Sequence, residues 1–186
     1  FVAATYLEAT GDESVLDEKV PFVQARPLAG GEDEAYLAAA RSEESASLYE
    51  HCRRAIDRSL VPGPHGLPLM GTGDWNDGMN RVGREGRGES VWLAFFLADI
   101  LGRFAEMASR RSDWESRRRW AAARERIVAA VEESAWDGRW YRRAWYDDGT
   151  PLGSATSDEC RIDAIAQAWS VLSGVASPER GRRALR

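Results

Sequence analysis

The chain has 186 residues, 44% of them apolar and 30% charged, and a net charge of −5. That length suits one hydrophobic core rather than two, and the composition excludes an intrinsically disordered chain. The negative balance excludes a broad basic footprint for nucleic acid, and the one basic run (Arg111, Arg117, Arg118, Arg119) reads as an exposed helix face beside Asp113 and Glu115.

In chain order, Val2, Ala3, Tyr6 and Leu7 predict a helix to about Thr10 that stops at Gly11. Residues 12–20 read as a short second helix, and residues 21–41, bearing Gly and Pro, as a loop. Ser42 with Glu43 and Glu44 predicts the start of a helix to about Leu60. Residues 61–88 are rich in Gly and Pro and lack helical periodicity. A loop of that length inside a compact domain points to function. From Glu89 to Met107 the pattern is helical and apolar on nearly every side, but Asp99 and Arg103 interrupt it, so a buried helix is expected rather than a membrane span.

Ser112-Asp113-Trp114-Glu115 matches a capping box, and Trp120, Ala123, Ile127 and Val131 form the inward stripe of the helix it opens. Asp137-Gly138 predicts a turn, and residues 140–145 look extended. Ile162, Ile165, Trp169 and Leu172 keep helical spacing up to Gly174. Ser177-Pro178-Glu179 has the cap, the proline and the acid of a helix start. Cys52 and Cys160 have no Cys or His partner at metal-ligand spacing, so free buried thiols are expected and no metal site.

The fold class expected is therefore all-α, with almost no strand pattern. An α/α toroid fits, although periodicity does not separate it from an irregular bundle. The chain starts inside one helical pattern and stops just after opening another. Residues 1–186 accordingly read as an internal fragment of a larger helical domain, cut at both ends.

The chemistry concentrates in Gly71-Thr72-Gly73-Asp74-Trp75-Asn76-Asp77-Gly78-Met79-Asn80. Glycines allow sharp bends, Trp75 offers a flat apolar plate for a sugar ring, and carboxylates and amides such as Asn76 bind hydroxyls. Cleaving a glycosidic bond requires a proton for the leaving oxygen. An Asp, ordinarily near pKa ~3.9, must be raised by burial to supply it, and Leu69, Met70, Trp75 and Met79 are apolar neighbours that could do so. Asp74 and Asp77 are also ordinary turn-capping residues, and the loop's composition taken alone favours that structural role for both.

The same stretch resembles the catalytic motif of glycoside hydrolase family 94, the cellobiose, chitobiose and β-1,2-oligoglucan phosphorylases. Its continuation, Gly78 to Gly83, is most similar to the cyclic β-1,2-glucan synthase branch. Thr10-Gly11-Asp12, Ser47 to His51, Glu89 to Leu93, Tyr146 to Ser154, Glu159 to Asp163 and Gln167 to Trp169 resemble that branch as well, in order along nearly the whole chain.

The resemblance implies an (α/α)6 barrel and an inverting phosphorolysis. In it Asp77, the second Asp of Asp-Trp-Asn-Asp, is the general acid and Trp75 contacts sugar beside the cleaved bond. Asp74 then only shapes the loop. Phosphate, already anionic, attacks without the base carboxylate that an inverting hydrolase needs. The implied partners are a β-glucan oligosaccharide and inorganic phosphate as co-substrate, with no cofactor, metal or nucleic acid. The implied parent is a multidomain protein of the bacterial inner membrane with this domain in the cytoplasm. A free phosphorylase and a non-catalytic glucan-binding module are the alternatives.

Arg142, Arg143, Glu159, Arg161 and Gln167 fall in segments resembling the family's second active-site stretch. Of these, Arg142, Glu159, Arg161 and Gln167 join Trp75 and Asn76 as candidate sugar binders, although Glu159 also suits a helix start. Trp140, Tyr141, Trp145 and Tyr146 could line subsites, but core is the reading preferred for most, and His65 is expected to stabilise the loop. The family's upstream Arg/Asp sugar-binding stretch and its downstream phosphate-binding His and Thr have no counterpart in the chain. Little or no phosphorolysis is therefore expected of these residues alone.

Overall fold

The computed structural model describes residues 1–30, 32 and 34–186, with Asp77 by its backbone alone. The chain divides into two compact units, residues 1–58 and 59–186.

In the first unit, helix α1 (Val2–Thr10) ends on Gly11, whose left-handed backbone (φ 69°) returns its N–H to the Leu7 carbonyl. Asp12 caps a 3-10 turn, Glu13–Asp17, and two antiparallel strands follow, β1 (Lys19–Gln24) and β2 (Ala40–Ser47). Helix α2 spans Leu48–Arg58.

Three expectations are corrected here. The second helix shrinks to the 3-10 turn, part of the expected loop is strand, and Ser42 lies within β2. The Ser42 hydroxyl receives the Gln24 side-chain amide (3.1 Å) and the Glu44 N–H (3.0 Å), so it serves the strand pair and opens no helix. Strand pairing is a non-local contact, and it overrides the local cap signal of Ser-Glu-Glu. The capping role passes to Ser47, which accepts the Glu50 N–H (3.2 Å). From α2, His51 stacks on Phe22 of β1 (centroids 3.8 Å apart) and meets the Val20 carbonyl at 2.9 Å.

The second unit is built around α3 (Val91–Arg110), which buries residues on most of its circumference, as expected. The 111–113 connection leads into α4 (Trp114–Ala130), which continues as a π-helical turn, Val131–Ala135. Trp120, Ala123, Ile127 and Val131 are all buried, and Trp120 meets Phe104 of α3 edge-on. The cap of α4 is Asp113 rather than Ser112: Asp113 accepts the Ser116 N–H (3.0 Å), while Ser112 sits at φ 61°. Glu115 pairs with Arg119 on the exposed side, and Arg117 and Arg118 are exposed beside them.

Three two-residue strands, β3 (Glu89–Ser90), β4 (Ala144–Trp145) and β5 (Pro151–Leu152), form an antiparallel sheet in that order. With β1 and β2 they correct the all-α expectation. Among the described residues the chain is largely helical with two small sheets, and the two-residue strands carry too little alternation to register as a period.

Helix α5 (Ala164–Leu172) sets Trp169 edge-on against Trp92 and Phe96 of α3. It buries Ala166, Gln167 and Ser170, so its inner face is not the expected apolar row: Ile162 is 54% and Leu172 69% exposed. Helix α6 (Pro178–Ala184) starts at Ser177 as expected, with the Arg180 N–H on the Ser177 hydroxyl. Both cysteines are free, but Cys52, in α2, is half-buried and Cys160 is exposed in an irregular stretch, against the expectation of buried thiols. No helix among the described residues is long and apolar enough to cross a membrane.

Candidate active site

Residues 61–88 form a long segment with little regular structure. The small sheet pins it at three points.

The first anchor is Glu89 in β3. Its fully buried carboxylate accepts the N–H groups of His65 (2.9 Å) and Leu67 (3.0 Å) and meets the His65 ring nitrogen at 2.5 Å. His65 also stacks on Trp145 of β4 (4.1 Å), which is the loop-stabilising part expected of it.

The third anchor is Asp147, just beyond β4. Its carboxylate takes the N–H groups of Glu85, Arg87 and Gly88, each at 2.8 Å. Burial alone would raise this carboxyl's pKa, but the three amides and the Arg87 charge outweigh it and hold it below the ordinary carboxylate value. Gly88 has no room for a side chain, since a Cβ would lie 2.2 Å from the Val82 carbonyl oxygen.

The middle anchor grips the motif itself. Arg143, immediately before β4, is 1% exposed and forks onto Asp74, whose side chain is fully buried. Nη1 and Nη2 donate to the two carboxylate oxygens at 2.7 Å each. The Ser90 hydroxyl donates to Asp74 Oδ2 (2.5 Å) and accepts the Leu93 N–H as the cap of α3. Burial pushes the Asp74 pKa up, but the Arg143 fork, the Ser90 hydroxyl, the Asn76 N–H and the Arg143 charge together hold it below its ordinary value. Asp74 is therefore an ionised structural carboxylate, which bars it from donating a proton at neutral pH.

Within the turn, Asp74 Oδ1 accepts the Asn76 N–H (3.1 Å), and Asn76 Oδ1 accepts the Gly78 N–H (2.9 Å). Asn76 thereby caps the 3-10 turn Asp77–Met79. Trp75 projects from the same turn, 67% exposed. The side chain of Asp77 lies outside the described residues, and its backbone opens the 3-10 turn.

Beyond the turn, Met79, Asn80 and Arg81 line a cavity of about 450 Å³ together with Arg143, Tyr146 and Asp163. This lies within the usual range for ligand cavities, roughly 300–1,000 Å³. Met70, Val82 and Ala144 are buried in contact beside it, with Met79, Tyr146 and Leu152 packed on them, so this lining rests on β4 and β5.

The remaining predicted residues divide. Arg142 faces away from the motif, because successive side chains of an extended segment diverge. Its guanidinium donates to the carbonyls of Ser134 (2.9 Å) and Trp136 (3.0 Å), pairs with Asp137 (2.6 Å) and lies over the Trp145 ring. Gln167 is buried and braces the segment that carries Arg143. It accepts the Tyr141 N–H (2.8 Å) and donates to the carbonyls of Tyr141 (2.7 Å) and Asp163 (3.0 Å).

Glu159 and Arg161 are exposed, and Arg161 donates to the Ala155 carbonyl (2.7 Å). Tyr141 is fully buried, Trp140 donates to the Gly153 carbonyl, and Trp145 carries the His65 stack, so these three are structural while Tyr146 reaches the cavity. Sequence reasoning chose Arg142 where the motif is held by Arg143. The signal available was that two consecutive arginines in an extended stretch cannot both face one loop.

The model of the glycosyl hydrolase 94 superfamily catalytic domain matches residues 2–186. The chain belongs to that superfamily. Among its glycosyl hydrolase 94 relatives is the cyclic β-(1,2)-glucan synthase NdvB of Rhizobium meliloti (strain 1021), 48% identical over 98% of this chain and 6% of that protein. Others are the 3-O-β-D-glucopyranosyl-β-D-glucuronide phosphorylase of Paenibacillus borealis (39%, over 75% of this chain and 18% of the relative) and that organism's solabiose phosphorylase (36%, over 97% and 21%). The chain thus spans between about a twentieth and a fifth of the length of these relatives.

Proposed function

We propose that residues 1–186 form part of an (α/α)6-barrel phosphorylase domain that cleaves β-1,2-glucan within a cyclic β-1,2-glucan synthase, with Asp77 as general acid. The observation that carries this reading is the 48% identity to a cyclic β-(1,2)-glucan synthase along nearly the whole chain, with the Asp-Trp-Asn-Asp turn presented on an anchored loop beside a cavity.

A phosphate oxygen attacks the anomeric carbon from the face opposite the leaving group. The bond from that carbon to the departing glucosyl oxygen breaks, and the Asp77 proton passes to that oxygen. The β linkage is replaced by an α-phosphate ester. Asp74 is already committed to Arg143, so the proton transfer is assigned to the motif's other carboxyl residue, Asp77. Trp75, largely exposed, is the plate for a sugar ring, and Asn76, Glu159 and Arg161 are within the set that would bind hydroxyls. Arg142 and Gln167 hold the scaffold instead. Phosphate binding and membrane attachment belong to other parts of the longer protein, with this domain on the cytoplasmic side.

The test is proton NMR on the full-length protein with linear β-1,2-glucan and inorganic phosphate. Accumulation of α-glucose 1-phosphate is expected. Release of glucose without phosphate ester, or of the β-anomer, would contradict inverting phosphorolysis.

A further inference from the structure

We infer that Arg143 is a positioning residue: its fork on Asp74 sets the backbone of the turn from which Asp77 acts. This rests on the reading of Asp77 as general acid.

The links are continuous. Arg143 holds both oxygens of Asp74 at 2.7 Å, Asp74 holds the Asn76 N–H, and Asn76 holds the Gly78 N–H by its side chain. The Asn76 carbonyl then accepts the Met79 N–H (3.0 Å), closing the turn that begins at Asp77. Arg143 and Ser90 reach Asp74 from outside this turn, Ser90 from β3 and Arg143 from the residue before β4.

Arg143 itself is fixed. Its N–H donates to the Leu152 carbonyl (2.8 Å), and its carbonyl accepts the Val91 N–H (3.1 Å). Its backbone also lies against Gly153 (φ 74°), where a Cβ would be 2.7 Å from the Arg143 nitrogen. Its Nε is buried without a hydrogen bond, 3.6 Å from Asp163 Oδ2, on the cavity side.

What the turn needs from this position is geometry as well as charge. A guanidinium meets both carboxylate oxygens at once and so fixes the plane of Asp74, whereas an ammonium is a point charge that neutralises without orienting. Arg143→Lys therefore separates the two contributions: it keeps the neutralising charge and removes the fork.

The experiment compares wild type, Arg143→Lys, Arg143→Met and Asp77→Asn in the full-length protein. It reads kcat, KM for glucan and for phosphate, and amide hydrogen exchange by peptide. For Arg143→Lys, kcat should fall about ten- to a hundred-fold with both KM values within about two-fold. Exchange should quicken in residues 74–79 and stay at the wild-type rate in α3 and α4. Arg143→Met, which also strands the Asp74 charge, should add quicker exchange in those helices.

A wild-type kcat in Arg143→Lys would overturn the inference, because charge alone would then suffice. So would a loss accompanied by faster exchange throughout α3 and α4, which would make Arg143 a residue of the fold and nothing more. Undiminished turnover in Asp77→Asn would remove the general-acid reading instead, and the exchange comparison would still decide whether the fork orders the turn.

Discussion

Asp74 and Arg143 are both withdrawn from solvent, and breaking such a pair by removing one partner strands a charge where water cannot reach it. Asp74→Ala should cost about 3–5 kcal/mol of stability, read from the urea midpoint of the domain. Because the Asp74 pKa is held down in the folded state, its ionised form contributes stability that is complete above the ordinary carboxylate range. That contribution is lost as pH falls through the lowered folded value. The advantage of wild type over Asp74→Asn in thermal melts should therefore be constant near neutral pH and shrink only in acid. A gap that widened in acid would mean that Asp74 is protonated in the fold. The structural role of Asp74 was legible in the sequence once the second Asp was matched to the family acid. Its partner was not, because Arg143 lies 69 residues along the chain and the Arg142-Arg143 pair alone does not say which of the two faces the motif.

At the scale of elements, caps were readable in kind but misplaced by the competition between neighbouring polar residues. Ser112 and Asp113 both suit the start of α4, and the backbone of Ser112 in the left-handed region hands the part to Asp113. Asp113→Ala should destabilise by about 1 kcal/mol while Ser112→Ala costs a few tenths at most, both by thermal melting. Equal losses would restore the capping-box reading. The sheet was the larger omission. Its strands have two residues each, yet Glu89, Arg143 and Asp147 on or beside them hold the segment of residues 61–88. Gly153→Ala should act at a distance through this arrangement. The added methyl collides with Arg143 backbone, so amide hydrogen exchange in residues 74–79 should quicken although nothing in that turn is altered. Unchanged exchange there would show that the sheet and the motif are not coupled in this way.

At the scale of the molecule, helical periodicity identified α1, α3, α4 and α5, because each buries a face against its neighbours, and the cap signals at Ser177 identified α6. It failed between residues 12 and 47, where two strands form by pairing with each other and the local pattern reads as helix and loop. The chain spans 6% of the length of the glucan synthase relative. Residues 1–186 expressed alone should release no α-glucose 1-phosphate from β-1,2-glucan, a result read by the same NMR assay.

The role of Asp77 is tested most directly by steady-state phosphorolysis of β-1,2-glucan by the full-length protein and its Asp77→Asn variant, with glucan affinity measured alongside. A general acid at this position requires kcat to fall by about 10²–10⁴-fold with glucan affinity retained. Turnover by Asp77→Asn within a few-fold of wild type would contradict it.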